Sequence, residues 1–299
     1  MDWLHHPKFR QVRDDVLGAV KRDHYRFRKP KKLVFLCGGK NSSARGRLKA
    51  YLLQQRADVL IFYAEDIWNV ISAQKNLSAL ALEAQLAKLA DVVIVVESAG
   101  AIAELGAFSL NDALRAKLLP ILDARYELDE SFLNTGPIRW VNSDSLFTPA
   151  IWTDLKRILE AAGEIDTRLN RIPQQRQRID DLSEGGKHLL LFICDLVAVF
   201  GPCPTSHIEF YLAGLGAKSV DVALLLTLGC AMGLLTSFEL PAEQTFYFRP
   251  LENGKLPSFH YTKKHLGIPF LRANVLSKMQ SIDSAKAALN KLETIYAGK

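Results

Sequence analysis

Hydrophobic residues along this 299-residue chain fall into two kinds of pattern. In the first half, short unbroken apolar runs alternate with longer amphipathic stretches. Leu33–Leu36, Asp58–Tyr63, Val92–Val96 and Leu118–Leu122 have strand length, and runs apolar on both faces suit parallel strands covered by helices on each side. Between them, Arg45–Gln55, Leu77–Leu89 and a segment beginning near Ile102 read as helices, with Leu82, Leu86 and Leu89 on one stripe of the second. Phe9–Val20 predicts a helix ahead of the first strand, and Ile67–Ile71 a short one. Ser131–Trp140 reads as a Gly/Pro-bearing loop, Ile138–Val141 as a last strand and Ser143–Ser145 as a small helical turn. Repeated βα units predict an α/β fold, a Rossmann-like parallel sheet over residues 1–160 including the N-terminal helix.

The pattern then changes. Residues 161–187 alternate Arg168, Arg171, Arg176 and Arg178 with Asp166, Asp180 and Asp181, broken by Pro173, which predicts an exposed charged connector. From His188 the chain is mostly helical: His188–Phe200, His207–Leu215 capped by Thr205-Ser206, and Asp221–Leu235. Phe246–Phe248 and Ser258–Tyr261, joined by a turn containing Asn253-Gly254, read as a β-hairpin. Three helices plus a hairpin are the layout of a winged-helix domain, 188–262, and 263–299 is a C-terminal helical extension built on Val275–Tyr296. Asp221–Leu235 offers no Arg, Lys, Asn or Gln to base edges, so protein or phosphate contact is predicted instead.

Charge sharpens that picture. The formal charge of +6 permits a polyanionic partner without requiring one. Arg28, Lys29, Lys31 and Lys32 before the first strand, and Arg249, Lys255, Lys263 and Lys264 around the hairpin, are the candidate phosphate or partner contacts; a solvated basic face is the plain alternative. Cys37, Cys194, Cys203 and Cys230 lack metal-ligand spacing, so no metal and no disulfide scaffold is expected. The N-terminus lacks a signal-peptide pattern, and Val220–Leu235 is too short and interrupted to span a membrane. The expectation is a cytoplasmic protein with no membrane contact.

The candidate chemistry lies at the carboxyl ends of the strands, where open α/β sheets bind ligands. Asp91–Ser109 reads as a strand, the turn Glu97-Ser98-Ala99-Gly100, and a helix with Glu104 in its first turn. There the helix dipole favours a carboxylate, for structural or functional reasons alike. Cys37-Gly38-Gly39-Lys40-Asn41-Ser42-Ser43 is a strand-to-helix turn whose amides suit an anion, although the ending of a P-loop is absent. Tyr63-Ala64-Glu65-Asp66 closes the second strand, and Glu83 lies beside the apolar stripe of its helix. A carboxylate beneath a ribose can stabilise positive charge at C1′ or attack it.

Phe35-Leu36-Cys37-Gly38-Gly39, Ile61–Asp66, Leu80-Ala81-Leu82-Glu83, Glu97–Gly100 and Glu104–Ser109 together resemble the effector proteins of bacterial retron antiphage systems. These join a nucleoside 2-deoxyribosyltransferase-like domain to a winged-helix domain. The resemblance covers residues 33–140 by motif and the second half by layout only. It implies Glu104 as the catalytic carboxylate, with Gly38, Gly39, Tyr63, Asp66, Glu83, Ser98 and Gly100 binding the substrate. It further implies NAD as substrate with no separate cofactor, and as partners a retron reverse transcriptase and its branched DNA–RNA hybrid, with room for a homo-oligomer or higher assembly. Ala64 stands where the family often has proline, and Gly100–Ala103 where it has hydroxyl-bearing or glycine residues. A salvage deoxyribosyltransferase and a non-catalytic scaffold or nucleic-acid-binding module are the alternatives.

Overall fold

The computed structural model describes residues 2–21, 25–27, 32–63, 65, 87, 89–173, 177–178, 186–217, 221–240, 244–250, 259–261 and 268–298. They form two compact units, one of residues 31–174 and one joining 1–30 to 175–299. Helix α1 (Arg10–Lys21) and strand β1 (Tyr25–Phe27) therefore precede the sheet unit in sequence but belong to the other. The sequence reading grouped the N-terminal helix with the sheet. The structure ties it elsewhere, because Asp2 meets His207, Trp3 packs edge-on against His207, and Leu17 fills the space beside Gly214.

The sheet unit contains β2 (Lys32–Cys37), α2 (Ser43–Gln55), β3 (Val59–Phe62), β4 (Asp91–Val96), α3 (Ala99–Ser109), β5 (Leu118–Asp123) and β6 (Ile151–Thr153). The strands are parallel in the order β3-β2-β4-β5-β6, with Phe35 opposite Val92 and Ile94 opposite Pro120. Chain order reverses between β2 and β4, so their carboxyl ends frame the crevice where such sheets bind ligands. Val92–Val95 is fully buried, as a strand covered on both faces must be. Val34, Leu36, Val93, Val95, Leu119 and Ile121 share a core with Leu48 and Leu52 of α2. Each such side chain contributes about 1.5–3 kcal/mol through burial.

Three expectations change within this unit. Ile138–Val141 is helical, not a strand: Pro137 and Ile138 lie in a helical turn over Asn134–Ile138 that runs into a helix at Arg139–Asp144. Ile138 and Val141, three residues apart, are its buried face. The last strand is instead the three-residue β6 at the sheet edge. Residues 161–173 are not a connector, because α4 (Ala162–Asn170) buries Ile165 and Leu169 in the same core and leaves Glu164 exposed; Arg168, also buried, bonds Glu164 at 2.8 Å. The stripe is narrow enough to be hidden among arginines in the sequence.

The other unit opens its second segment with β7 (Gln177–Arg178), which with β10 (Phe259–Tyr261) flanks β1 in an antiparallel sheet ordered β10-β1-β7. Between them come α5 (Gly186–Phe200), α6 (Thr205–Gly214), α7 (Val222–Ala231) and a hairpin of β8 (Thr236–Leu240) and β9 (Gln244–Phe248), the winged-helix arrangement. Phe246–Phe248 thus pairs with Thr236–Phe238, and Phe259–Tyr261 pairs with β1, so the hairpin read around Asn253-Gly254 is corrected; that turn itself lies outside the described residues. Helix α7 ends at Ala231, four residues before the apolar run suggested, and Gly233, with φ +69°, turns the chain towards β8. Thr205 and Ser206 lie inside α6, with Pro204 at its cap. The final helix is two, α8 (Ile268–Met279) and α9 (Asp283–Ala297). Among the described residues no helix is long and apolar enough to cross a membrane.

Candidate active site

Two strand-to-helix turns meet at the switch point. After β2, Gly38 adopts φ +141°, and a Cβ there would come within 3.0 Å of the Val95 carbonyl, so only glycine fits. Ser42 caps α2 by accepting from Arg45 N at 2.9 Å. After β4, Ser98 caps α3 by accepting from Ala101 N at 3.2 Å. The position of a Gly39 Cβ lies 3.4 Å from Glu97 Oε1 and 3.8 Å from Ser98, which puts the turns side by side.

A cavity of about 270 Å³ opens between them, lined by Gly38, Gly39, Ser98, Gly100 and Glu104 together with Arg45 and Glu65. Gly100 and Glu104 face it together because they are four residues apart on α3. That helix begins at Ala99, three residues before the position read from sequence, so Glu104 stands in its second turn and not its first. The dipole accordingly does less for it. Its Oε2 is shielded from solvent, which places the carboxylate inside the cavity wall.

Arg45, buried on α2, holds this wall in shape. Its guanidinium donates to the carbonyls of Gly38 (3.2 Å) and Lys40 (3.0 Å) and makes a two-point pair with Glu65. The sequence reading missed Arg45. The available signal was a cation in the first turn of a helix, where the dipole disfavours it and another function must retain it. Tyr63, one of the expected substrate-binding residues, lies under two cations, with Arg45 4.3 Å and Lys49 3.7 Å from its ring centre, and lines neither of the two cavities.

A second cavity of about 880 Å³ lies along the ends of β4, β5 and β6. Asp123 closes β5 and caps the following turn, accepting three side-chain bonds from Arg125 that hold its carboxyl below the usual range. Asp154 follows β6 and is held low in the same way by Arg157. Trp152 and Tyr126 supply aromatic surface.

The remaining predicted contacts separate. Lys32 is buried against Asp58, 3.2 Å away, which removes it from any phosphate-binding face. Asp58 in turn is held at about 2, chiefly by the hydrogen-bonded guanidinium of Arg56. Arg249 is half-buried beside Asp195, and burial lowers its proton affinity. Asp66, Glu83, Arg28, Lys29, Lys31, Lys255, Lys263 and Lys264 lie outside the described residues.

An open parallel sheet whose switch point brings a glycine turn beside the Glu104 helix defines a Rossmann-like α/β protein, here joined to a winged helix. Residues 41–237 match the STM3845 retron effector protein family, and the chain belongs to that family. It is similar to the Retron Ec86 putative ribosyltransferase/DNA-binding protein of Escherichia coli, 38% identical over 168 residues, 53% of this chain and 54% of that protein. It is also similar to the Retron Ec73 putative ribosyltransferase/DNA-binding protein of Escherichia coli, 32% identical over 198 residues, 58% of this chain and 63% of that protein. The chain thus spans less than two thirds of either relative.

Proposed function

We propose that the chain is the toxin of a retron antiphage system and cleaves the N-glycosidic bond of NAD or a related nucleotide. The observation that carries this reading is the enclosure of Glu104 in a cavity with the glycine turn at the switch point. As the C1′–N bond breaks, its electron pair leaves with the base and positive charge grows on the ribosyl carbon. Glu104 stabilises that charge. Water adds to C1′ and releases a proton, giving the free base and the ribosyl product. Ser98 and the Gly38–Gly39 backbone orient the sugar and its phosphate. The relatives' names, which pair ribosyltransferase with DNA-binding, support the glycosidic chemistry and a nucleic-acid partner. On this reading a reverse transcriptase and its DNA–RNA hybrid restrain the enzyme in the cytoplasm. The apolar α7, VALLLTLGCA, favours a protein or backbone contact over base reading.

Glu104→Gln tests the chemistry. Turnover of NAD by the assembled, activated complex should fall about a hundredfold to a thousandfold while folding is retained. Glu293→Gln, at an exposed position that lines neither cavity, is the control. More than about a third of wild-type activity in Glu104→Gln would sink the mechanism.

A further inference from the structure

Helix α3 stands between two cavities, and the one that Glu104 does not line is the larger. Ile102 and Glu104 are two residues apart, about 200° around the helix; Ile102 lines the larger cavity and Glu104 the smaller. Ser98, just ahead of the helix, lines both. The passage between them crosses Ala99 and Gly100, both exposed, and a Cβ on Gly100 would meet nothing nearer than Ser98 Oγ at 3.8 Å. A ligand occupying both cavities must bend over this bare stretch of backbone.

The larger cavity has its own chemical character. Its carboxylates, Glu97, Asp123, Asp129 and Asp154, outnumber its cations, Arg125 and Lys156, and Arg125 is already committed to Asp123. Such a wall repels a cluster of phosphates. It suits hydroxyls, which donate to carboxylates at strand ends, and a flat ring against Trp152 and Tyr126. At about 880 Å³ it is within the range of small-molecule sites.

We infer that the larger cavity is a nucleoside subsite. It holds the base and ribose of the non-reacting half of a dinucleotide whose other half is cleaved at Glu104, with the anionic linker crossing Ala99 and Gly100. The subsite rests on the glycosidase reading for its role, but its binding can be measured alone.

The experiment is equilibrium binding of adenosine, AMP and ribose 5-phosphate to the full chain carrying Glu104→Gln, with Trp152→Leu and Tyr126→Ala added separately. Adenosine and AMP should bind, and ribose 5-phosphate at least about tenfold more weakly. Each added substitution should weaken AMP by about tenfold, the scale of one lost base–aromatic stack. Tyr126 is 54% exposed, so its removal leaves the fold intact and decides the matter if Trp152→Leu does not fold. AMP affinity unchanged by Tyr126→Ala, or ribose 5-phosphate bound as tightly as AMP, overturns the subsite even in a chain that cleaves NAD. AMP binding that depends on these residues, in a wild-type chain that cleaves no dinucleotide, keeps the subsite and removes the glycosidase reading.

Discussion

The two units bury charge in opposite ways. In the sheet unit Lys32, Arg45 and Arg168 are buried, and each has a carboxylate partner in Asp58, Glu65 or Glu164. In the helical unit Asp195 is buried at the centre of α5 with neither oxygen hydrogen-bonded among the described residues, and desolvation pushes its proton affinity well up against the opposing charge of Arg249. Burial likewise drives the Cys203 thiol up to about 12 and lowers Arg272, which donates to the carbonyls of Val199 and Gly201 and not to an acid. Paired charges fix backbone geometry, so the sheet unit uses them to shape a site. Burial suppresses the ionisation of Asp195 whereas ion pairing favours that of Asp58, so these two carboxylates give their units pH responses of opposite sign.

The largest effect expected from this contrast is at Arg45. Arg45→Met leaves Glu65 without its cation and two turn carbonyls without donors, and should cost about 3 kcal/mol, the low end for breaking a buried pair because Glu65 is a third exposed. Urea unfolding measures it, and a cost below about 1 kcal/mol would mean that the pair does not organise the turn.

Asp195→Asn should act in the opposite direction. Folding makes the Asp195 carboxyl take up a proton, so its raised proton affinity leaves stability intact below its ordinary value of 3.8 and erodes it as pH rises. Removing the ionisation should stabilise the helical unit at pH 7 and leave it unchanged near pH 3. Equal stability of the two proteins at pH 7 would erase the contrast.

The smallest effect lies at the N-terminal turn. Burial lowers the proton affinity of His207 despite its bond to Asp2, and that bond holds Asp2 below its usual range. In its neutral form the ring donates Nε2–H to the carboxylate. Both groups are depressed, so their contribution is present above their ordinary values and is lost as pH falls, first below 6.5 for His207. In an Asp195→Asn background, which removes the opposing slope, the urea midpoint should drop from pH 7 to pH 5, and His207→Gln should flatten that drop.

The parallel sheet was legible because strands buried on both faces are written as continuous apolar runs, and the placing of Glu104 on the helix after β4 because it follows such a run and a turn. Arg45 was not, since its partners sit 5 to 20 residues away along the chain and meet it only when α2 packs on β2. The larger cavity was equally hidden: Asp123 was visible at a strand end, but Trp152 belongs to a three-residue edge strand with too little periodicity to read. The wing was misplaced because Asn253-Gly254 is a strong local turn signal, whereas β8 follows α7 within one apolar stretch.

The helical unit is made from both ends of the chain, and this orders events during synthesis. The sheet unit is complete once Gln174 is made, whereas β1 waits for Phe259–Tyr261. At the usual pace of translation the interval is on the order of ten seconds. For that time a nascent chain holds a finished sheet unit before its helical unit is complete, so anything the helical unit contributes begins only after the pocket has formed.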